Sequence, residues 1–369
     1  MEEEQKIKVG ITQGDVNGIG FEVIMKTLSD QEIYDNFTPI IYGSPKVAAY
    51  HRKALNIQNF SLNNIKVAAE AHPKRVNIVT CCDDNTRVEL GKSTSESGKA
   101  AFEALKLAVD DLKNGEIDVL ITAPINKKNI QSDEFAFPGH TEYLEQIAGE
   151  GKALMLLVAN NLRVGVVAGH VPISEVSSYI TKELILEKLR ILNNSLKHDF
   201  TIRRPRIAVL GLNPHAGDNG LLGKEELEII TPAIEEANAE GIYAMGPYAA
   251  DGIFGSEAIS KFDAILAMYH DQGLIPFKTL DMSGVNYTAG LSIVRTSPDH
   301  GTGYDLAGKS SADPSSMRNA IYTALDVLRT RAEYDALRAN PLPFIEREDK
   351  EGKPRREFID FKTTKYDDK

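Results

Sequence analysis

The sequence is poor in the residues that build disulfide frameworks, cysteine-rich metal sites and membrane spans. Its 369 residues include no tryptophan and two cysteines, Cys81 and Cys82. Adjacent cysteines rarely bridge, so the sequence predicts neither a disulfide framework nor a cysteine-rich zinc site. We interpret both cysteines as residues of a core strand. No apolar run approaches the roughly 18 residues of a membrane-spanning helix, so no membrane partner is expected.

Basic residues are the minority among the charges. The chain has 42 Lys and Arg against 53 Asp and Glu, a net charge of -11. Nucleic-acid partners require a basic surface, and we expect none here. An anionic substrate would need a local cluster of cations. Residues 1–6 are acidic and polar, the reverse of a signal peptide, so we expect a cytoplasmic protein.

Apolar strand-like runs alternate with amphipathic helical patterns along the whole chain. This alternation predicts an α/β fold with a mainly parallel sheet covered by helices on both faces. The length is comfortable for two domains. The predicted strands include 8–12, 39–42, 76–81, 118–122, 153–158, 162–168, 206–212 and 262–269, and the predicted helices include 21–28, 45–55, 96–112, 182–196, 224–239 and 317–337.

Three of the predicted strands end on a histidine: His170, His215 and His270. A single histidine in this position is more often a structural residue than a ligand. The chain has only eight histidines, however, and open α/β sheets bind ligands at the carboxyl ends of their strands. Because imidazole is the commonest transition-metal ligand, the three together predict a shared metal centre. Asp271, which follows His270, is a further site candidate.

Other strand ends carry groups that suit an anion. The glycine-rich turn 14–20 suggests a phosphate cradle, although such turns are also common as tight connections. His140 and Thr141 stand at a predicted helix start, where backbone donors attract anions. Lys278 and Arg295 flank an apolar segment, and arginine can bind phosphate or carboxylate with two hydrogen bonds; exposed salt bridges are the alternative.

With these residues in view, the sequence resembles the 4-hydroxythreonine-4-phosphate dehydrogenase family, the NAD-dependent enzymes of pyridoxal phosphate biosynthesis. The matching segments occur in family order over nearly the whole chain. They are Gly14-Asp15 with Gly18-Ile19-Gly20, Ala123-Pro124-Ile125-Asn126-Lys127, Phe137-Pro138-Gly139-His140-Thr141-Glu142, His170-Val171-Pro172, Asn213-Pro214-His215-Ala216-Gly217, Tyr269-His270-Asp271-Gln272-Gly273, and Arg295-Thr296-Ser297-Pro298-Asp299-His300-Gly301-Thr302.

The resemblance implies the roles of these residues. His170, His215 and His270 would hold one divalent metal, with ligands from both subunits of a homodimer. Zinc is the first expectation for three imidazoles, and cobalt or magnesium are alternatives. The phosphorylated substrate would be bound by His140, Thr141, Lys278, Asn286 and Arg295. This chain departs from the family at Val16-Asn17 and Phe21 and in its charged tail, none of which is a proposed ligand.

The segment from His300 to Lys309 resembles, more distantly, the adenosine-binding loop of isocitrate and isopropylmalate dehydrogenases. The implied fold is theirs: two α/β lobes with the active site in the cleft between them. We expect residues 1–127 and 284–369 to form the cofactor lobe and 128–283 the metal and dimerisation lobe. NAD would contact Gly301, Thr302, Asp305 and Leu306, and a carboxylate at Asp305 would favour NAD over NADP.

The implied reaction is oxidation of 4-phosphooxy-L-threonine at C3 to a 3-oxo acid, which decarboxylates to 3-amino-2-oxopropyl phosphate. The three histidines would hold the metal that assists both steps. Asp251 and Asp271 are candidates for orienting a ligand or transferring a proton. The closest alternative is a related dehydrogenase of 4-phospho-D-erythronate or 4-phospho-threonate. A non-catalytic metal- or phosphate-binding regulator is an alternative from another class.

Overall fold

The computed structural model describes residues 6–148 and 152–341. Within these ranges, twelve strands form one continuous sheet, and ten α-helices pack on it. The strands are β1 (Ile7–Thr12), β2 (Phe37–Gly43), β3 (Asn63–Ile65), β4 (Asn77–Thr80), β5 (Val119–Thr122), β6 (Leu154–Ala159), β7 (Leu162–Ala168), β8 (Arg206–Leu210), β9 (Tyr243–Tyr248), β10 (Ala264–Tyr269), β11 (Val285–Ala289) and β12 (Arg295–Pro298). The helices are α1 (Gly20–Leu28), α2 (Pro45–Ala54), α3 (Ser95–Lys113), α4 (His140–Ala148), α5 (Val176–Tyr179), α6 (Lys182–His198), α7 (Thr231–Ala239), α8 (Ala250–Phe254), α9 (His270–Leu280) and α10 (Ser315–Arg338).

The sheet consists of two parallel blocks joined by antiparallel strands. Its order is β3-β4-β2-β1-β5-β12-β11-β6-β7-β10-β8-β9. The first six strands pair in parallel, and so do the last four. Three antiparallel contacts around β11 and β6 reverse the direction, so the two blocks run in opposite senses. The predicted α/β fold with a mainly parallel sheet is confirmed.

Apolar side chains alternate between the two faces of the sheet because successive strand residues point to opposite sides. In β2, for example, Ile40 and Tyr42 join the cluster beneath α3, whereas Ile41 joins the cluster that contains residues of α1 and α10. Every residue of β2 is buried. Both faces are therefore covered by helices, which gives three layers.

Short polar side chains fix where several helices begin. The hydroxyls of Ser44, Thr94 and Thr181 each accept a hydrogen bond from a backbone N–H in the first turn of α2, α3 and α6. Such caps satisfy donors that have no partner within the helix. The three predicted helices at these positions are confirmed.

The sequence reading missed the hairpin of β11 and β12. The sequence predicts one apolar segment between Lys278 and Arg295, but Gly290 adopts a φ of 91° and the chain reverses there. A Cβ at this glycine would lie 2.3 Å from the carbonyl oxygen of Lys152. The hairpin lies in the middle of the sheet and joins the two parallel blocks.

Two further expectations are corrected. Cys81 and Cys82 follow β4 instead of lying in it, because the partner strand β2 ends at Gly43, opposite Thr80. The helix predicted over 224–239 begins with a π-helical turn at Glu226–Ile230 and becomes α-helical only at α7. Pro232 has no N–H to donate to the preceding turn, which explains the break.

Some expectations lie partly outside the described residues. The charged C-terminal tail is one, and the division into lobes 1–127 with 284–369 and 128–283 stays a prediction. Within residues 6–148 and 152–341, none of the helices has the length and apolarity needed to span a membrane.

A buried ionic network links α6, β11 and α10. Asp199 is 3% exposed and accepts hydrogen bonds from the Tyr287 hydroxyl at 2.7 Å and from Nε of Arg331 at 2.7 Å. Nη2 of Arg331 also donates to the Tyr287 hydroxyl at 2.9 Å. Burial, with the Asp199 carboxylate next to it, raises the pKa of Tyr287 well above its usual value. The three side chains therefore depend on one another.

Asp199→Ala is predicted to lower the free energy of unfolding by about 3–5 kcal/mol, because it leaves the Arg331 charge buried without its partner. Tyr287→Phe removes one hydroxyl and should cost about 1 kcal/mol. Denaturant titration followed by circular dichroism measures both. Asp335→Ala is the control, since that carboxylate is exposed and its ion-pair partner within residues 6–148 and 152–341 is His198. A smaller loss for Asp199→Ala than for Tyr287→Phe would contradict the network.

Candidate active site

One cavity collects most of the predicted substrate residues. It has a volume of about 190 Å³ and lies at the junction of β5, β11, β12, α4 and α9. The predicted substrate residues His140, Thr141, Lys278, Asn286 and Arg295 all line it, together with the predicted metal ligand His170 and the first cofactor-loop residue Gly301. These residues belong to separate segments of the sequence, and the fold brings them together in one cavity.

Arg295 supplies a buried positive charge to this cavity. Its side chain is 2% exposed, and its hydrogen-bond partners in the described part of the chain are neutral. Nε donates to Oγ1 of Thr122 at 3.0 Å, Nη1 to Oγ1 of Thr288 at 3.0 Å, and Nη2 to Nδ1 of His140 at 3.2 Å. Burial lowers the pKa of Arg295 to about 10, although the Glu142 carboxylate opposes the shift. The guanidinium remains charged at neutral pH.

The contact with Arg295 fixes the tautomer of His140. Burial, and then the charges of Arg295 and Lys127, lower the pKa of His140 well below its usual value, so the ring is neutral at pH 7. Since Arg295 donates to Nδ1, the single ring proton must be on Nε2. Nε2 is buried and has no partner in the described structure. His140 therefore presents an unused N–H donor, as an anionic ligand requires.

Other polar groups complete the cavity. Thr141 lies in the first turn of α4, where backbone N–H groups favour an anion. Nζ of Lys278 lies 3.2 Å from a carboxylate oxygen of Asp299, whose pKa is raised by burial. Oδ1 of Asn286 is a buried acceptor without a partner among the described residues. The site thus offers mainly donors and positive charge, with a few acceptors at its edge.

Two of the three predicted metal ligands lie close together next to this cavity. The rings of His170 and His270 have centroids 5.9 Å apart. Nδ1 of His170 lies 3.1 Å from Oε1 of Glu142, and Nδ1 of His270 lies 2.7 Å from Oδ1 of Asp271. A carboxylate on one ring nitrogen orients the other nitrogen for a metal, an arrangement typical of metal-binding histidines.

His215 lies at the same edge of the sheet on a strained segment. His215, Ala216, Asp218 and Asn219 all have φ between 43° and 55°, a region that costs non-glycine residues about 1–3 kcal/mol each and is commonest at functional sites. The buried Glu226 carboxylate stabilises this segment by accepting the backbone N–H groups of Leu212 and Asn213 at 2.7 Å.

Gln272 connects the two strand ends that carry His215 and His270. Its Oε1 accepts from the backbone N–H of Met268, and its Nε2 donates to the carbonyl of Gly211, each at 2.7 Å. Met268 belongs to β10 and Gly211 follows β8 directly. The sequence gives no signal for this role of Gln272, because the contact depends on the neighbouring strand β8.

The chemistry of these donors fits a divalent metal. The two carboxylates leave Nε2 of each ring for a metal. In this structure Nζ of Lys127 lies 3.0 Å from Nε2 of His170, and an ion bound at Nε2 would displace the lysine. In the described ranges, no group of three His, Cys, Asp or Glu side chains is close enough to hold a metal ion. His170 and His270 are thus brought together, whereas His215 is not joined to them within this single chain.

The two aspartates proposed for proton transfer or orientation lie at the same sheet edge. Asp271 contacts His270, as described above. Asp251 is exposed in the first turn of α8, directly after β9, and does not line the cavity.

The predicted cofactor loop packs against the glycine turn 14–20. Leu306 packs on the main core, Asp305 is exposed, and the carbonyl of Thr302 accepts the backbone N–H of Ile19 at 2.9 Å. The N–H groups of Asp15, Asn17 and Gly18 are also used, and the whole turn is buried. These contacts assign the turn to connection and support, and they exclude a phosphate cradle at these N–H groups.

Glu142 and Lys127 line the cavity, although the sequence analysis predicts a site role for neither. Glu142 follows His140 and Thr141 in α4, lines the cavity and holds His170. The available signal in the sequence was a carboxylate two residues after His140. Lys127 ends the loop after β5 and lines the same cavity.

The chain is similar to known proteins over most of its length. Residues 35–324 match the family model described as pyridoxal phosphate biosynthetic protein PdxA. A 4-hydroxythreonine-4-phosphate dehydrogenase of Bacteroides thetaiotaomicron is 57% identical over 363 residues, covering 97% of this chain and 99% of that protein. The crystal structure of the Klebsiella pneumoniae 4-hydroxythreonine-4-phosphate dehydrogenase superimposes with a TM-score of 0.76 at 32% identity, covering 88% of this chain and 100% of that one.

A second kind of name also occurs among the relatives. A protein of Oceanobacillus iheyensis, provisionally named D-threonate 4-phosphate dehydrogenase, is 38% identical over 328 residues, covering 88% of this chain and 98% of that protein. The family model covers most of the chain, and the relatives match over nearly their full length. The resemblance inferred from the motifs is confirmed, and the chain belongs to the family of the pyridoxal phosphate biosynthetic protein PdxA.

Proposed function

We propose that this chain is a metal-dependent and NAD-dependent 4-hydroxythreonine-4-phosphate dehydrogenase. It would oxidise 4-phosphooxy-L-threonine at C3, and the resulting 3-oxo acid would lose carbon dioxide to give 3-amino-2-oxopropyl phosphate. The observation that supports this most strongly is the buried Arg295 guanidinium with neutral partners next to the unused N–H of His140. A phosphorylated substrate would supply a negatively charged partner for this guanidinium, which has no hydrogen-bonded carboxylate among the described residues.

The substrate phosphate would bind at the cationic end of the cavity. There the guanidinium of Arg295, Nε2–H of His140 and the backbone N–H of Thr141 would hold and orient it. Lys278 and Asn286, on other walls of the same cavity, would contact the rest of the molecule. Fixing a four-carbon substrate at one end positions its C3 hydroxyl for reaction.

His170, His215 and His270 would hold the metal. When bound, a divalent ion supplies Lewis acidity to the C3 oxygen during oxidation and to the new carbonyl during decarboxylation. Glu142 and Asp271 hold the imidazoles of His170 and His270 with Nε2 directed towards the ligand. Zinc is our first choice, since it is commonly bound by imidazole nitrogens.

We propose a homodimer with shared sites because large apolar side chains near the predicted metal ligands are exposed. Large apolar side chains on two neighbouring segments are between 42% and 77% exposed: Ile173, Tyr179, Leu221, Leu222 and Leu227. A hydrogen bond of 2.9 Å from Ser177 to Glu225 joins the two segments. Apolar patches of this kind mark interaction surfaces. A second subunit covering them would approach His170 and His215.

Dehydrogenation of D-threonate 4-phosphate is the second candidate, favoured by the Oceanobacillus iheyensis relative. The proposed phosphate and metal contacts would serve both substrates equally. An assay of NADH formation with 4-phosphooxy-L-threonine, D-threonate 4-phosphate and D-erythronate 4-phosphate separates them. We expect the amino acid to have the highest kcat/KM, with His270→Ala as the inactive control. Turnover of only the two non-amino acids would contradict the primary proposal.

The metal proposal predicts a graded loss of metal. Asp271→Asn, which weakens only the support of His270, should reduce zinc affinity by about 10–100-fold, and His170→Ala, His215→Ala or His270→Ala should reduce it further. Elemental analysis and competition with a zinc-binding dye measure this. The control is His72→Ala, an exposed histidine outside the site.

Mixing His215→Ala with His270→Ala protein tests whether sites are shared. If the ligands come from different subunits, one site of each mixed dimer has all three histidines, and metal binding partly recovers. Stoichiometric metal in all three single variants would exclude this centre.

A further inference from the structure

A hydroxyl in the predicted cofactor loop is bonded to a buried carboxylate of the glycine turn. The hydroxyl of Tyr304 donates to Oδ2 of Asp15 at 2.8 Å. Asp15 is 1% exposed, so this contact lies in the protein interior. It joins two segments almost three hundred positions apart in the sequence, namely the first strand-to-helix turn and the loop that follows β12.

Asp15 is held in place independently of the loop. Oδ1 accepts the backbone N–H of Asn17 at 2.9 Å, and Oδ2 also accepts from Oγ of Ser97 at 3.1 Å and from Nδ2 of Asn129 at 2.8 Å. The carboxylate therefore presents a fixed acceptor to the loop. Hydrogen bonds to a charged acceptor are among the stronger ones in proteins.

Tyr304 remains a donor throughout the physiological pH range. Burial, and then the hydrogen bond to Asp15, raise the pKa of Tyr304 to about 12. Next to it, the backbone is in close contact with the turn: a Cβ on Gly18 would lie 2.5 Å from the carbonyl of Thr302, and one on Gly303 would lie 2.8 Å from Ile19. The loop is attached at its backbone and at one side chain.

We propose that Asp15 and Tyr304 are positioning residues that hold the cofactor loop in its binding conformation. The inference rests on the proposed binding of NAD at Gly301, Thr302, Asp305 and Leu306. Tyr304 immediately precedes Asp305, the residue expected to accept the adenosine ribose hydroxyls. A loop already ordered in the free protein binds its ligand without first losing conformational entropy.

The position of the contact predicts which kinetic constant it controls. The residues proposed for phosphate binding lie on β12 and α4, outside the loop, and the metal residues follow β7, β8 and β10. Loosening the loop should therefore weaken cofactor binding and leave substrate binding unchanged. The apparent Kd for NAD equals the intrinsic Kd divided by the fraction of protein whose loop is in the binding conformation.

The test uses Tyr304→Phe, which removes only the hydroxyl. We expect the KM for NAD to rise about tenfold or more. The kcat at saturating NAD and the KM for the phosphorylated substrate should stay within about twofold. The matched control is Tyr322→Phe, since Tyr322 is an exposed tyrosine on α10. In the double variant with Asp15→Asn, Tyr304→Phe should cause little further loss. The inference would be overturned if the KM for NAD were unchanged, or if kcat and the KM for the phosphorylated substrate worsened as much as the KM for NAD.

Hydrogen exchange of the free protein provides a readout that needs no activity. Amides of residues 301–309 should exchange faster in Tyr304→Phe than in wild type, with β1 and β5 unaffected. Unchanged exchange in the loop overturns the positioning role even if the enzyme uses NAD. If wild type binds no NADH in a fluorescence titration, the cofactor assignment itself is wrong and the inference fails with it, whatever the exchange result.

Discussion

The candidate site depends on a positive charge that is buried and has no hydrogen-bonded carboxylate among the described residues. Taking a guanidinium out of water costs several kcal/mol unless an opposite charge compensates it. Among the described residues, Arg295 donates its hydrogen bonds to the hydroxyls of Thr122 and Thr288 and to the neutral ring of His140. These groups hold the guanidinium in one orientation without neutralising it. The protein therefore keeps a cavity of positive potential whose natural partner is an anionic ligand.

The sheet places this charge next to the predicted metal residues. The parallel block β7-β10-β8 brings the histidine-bearing strand ends to one edge, and the hairpin of β11 and β12 carries Asn286 and Arg295 to the junction with the other block. Gln272 and Gly273 keep that edge close-packed. A Cβ at Gly273 would lie 3.0 Å from Val164, so α9 could not otherwise lie this close to β7. The proposed phosphate and metal sites are thus neighbours in one fold.

Much of this arrangement was predictable because it follows from local pattern and sheet topology. Histidines at the ends of adjacent parallel strands reach the same edge of the sheet, and the resemblance supplied the order of the motifs. The hairpin of β11 and β12 was not predictable, because its reversal depends on Gly290 meeting the Lys152 carbonyl, a contact far away in sequence. The role of the glycine turn was equally hidden: the N–H groups of Asp15, Asn17, Gly18 and Ile19 are bonded within the fold, to the carbonyls of Pro124, Asp15 and Thr302 and to the Asp15 carboxylate.

The most direct measurement compares the binding of 4-phosphooxy-L-threonine with that of its dephosphorylated counterpart, in wild type and in Arg295→Met, by calorimetry without cofactor. The phosphate should improve the affinity of wild type by at least about a hundredfold, since a buried charge pair is worth several kcal/mol. In Arg295→Met that preference should largely disappear, while the melting temperature of the free protein does not fall, because the variant removes an uncompensated charge. If Arg295→Met kept the wild-type preference for the phosphorylated compound, the buried guanidinium would not be the phosphate site.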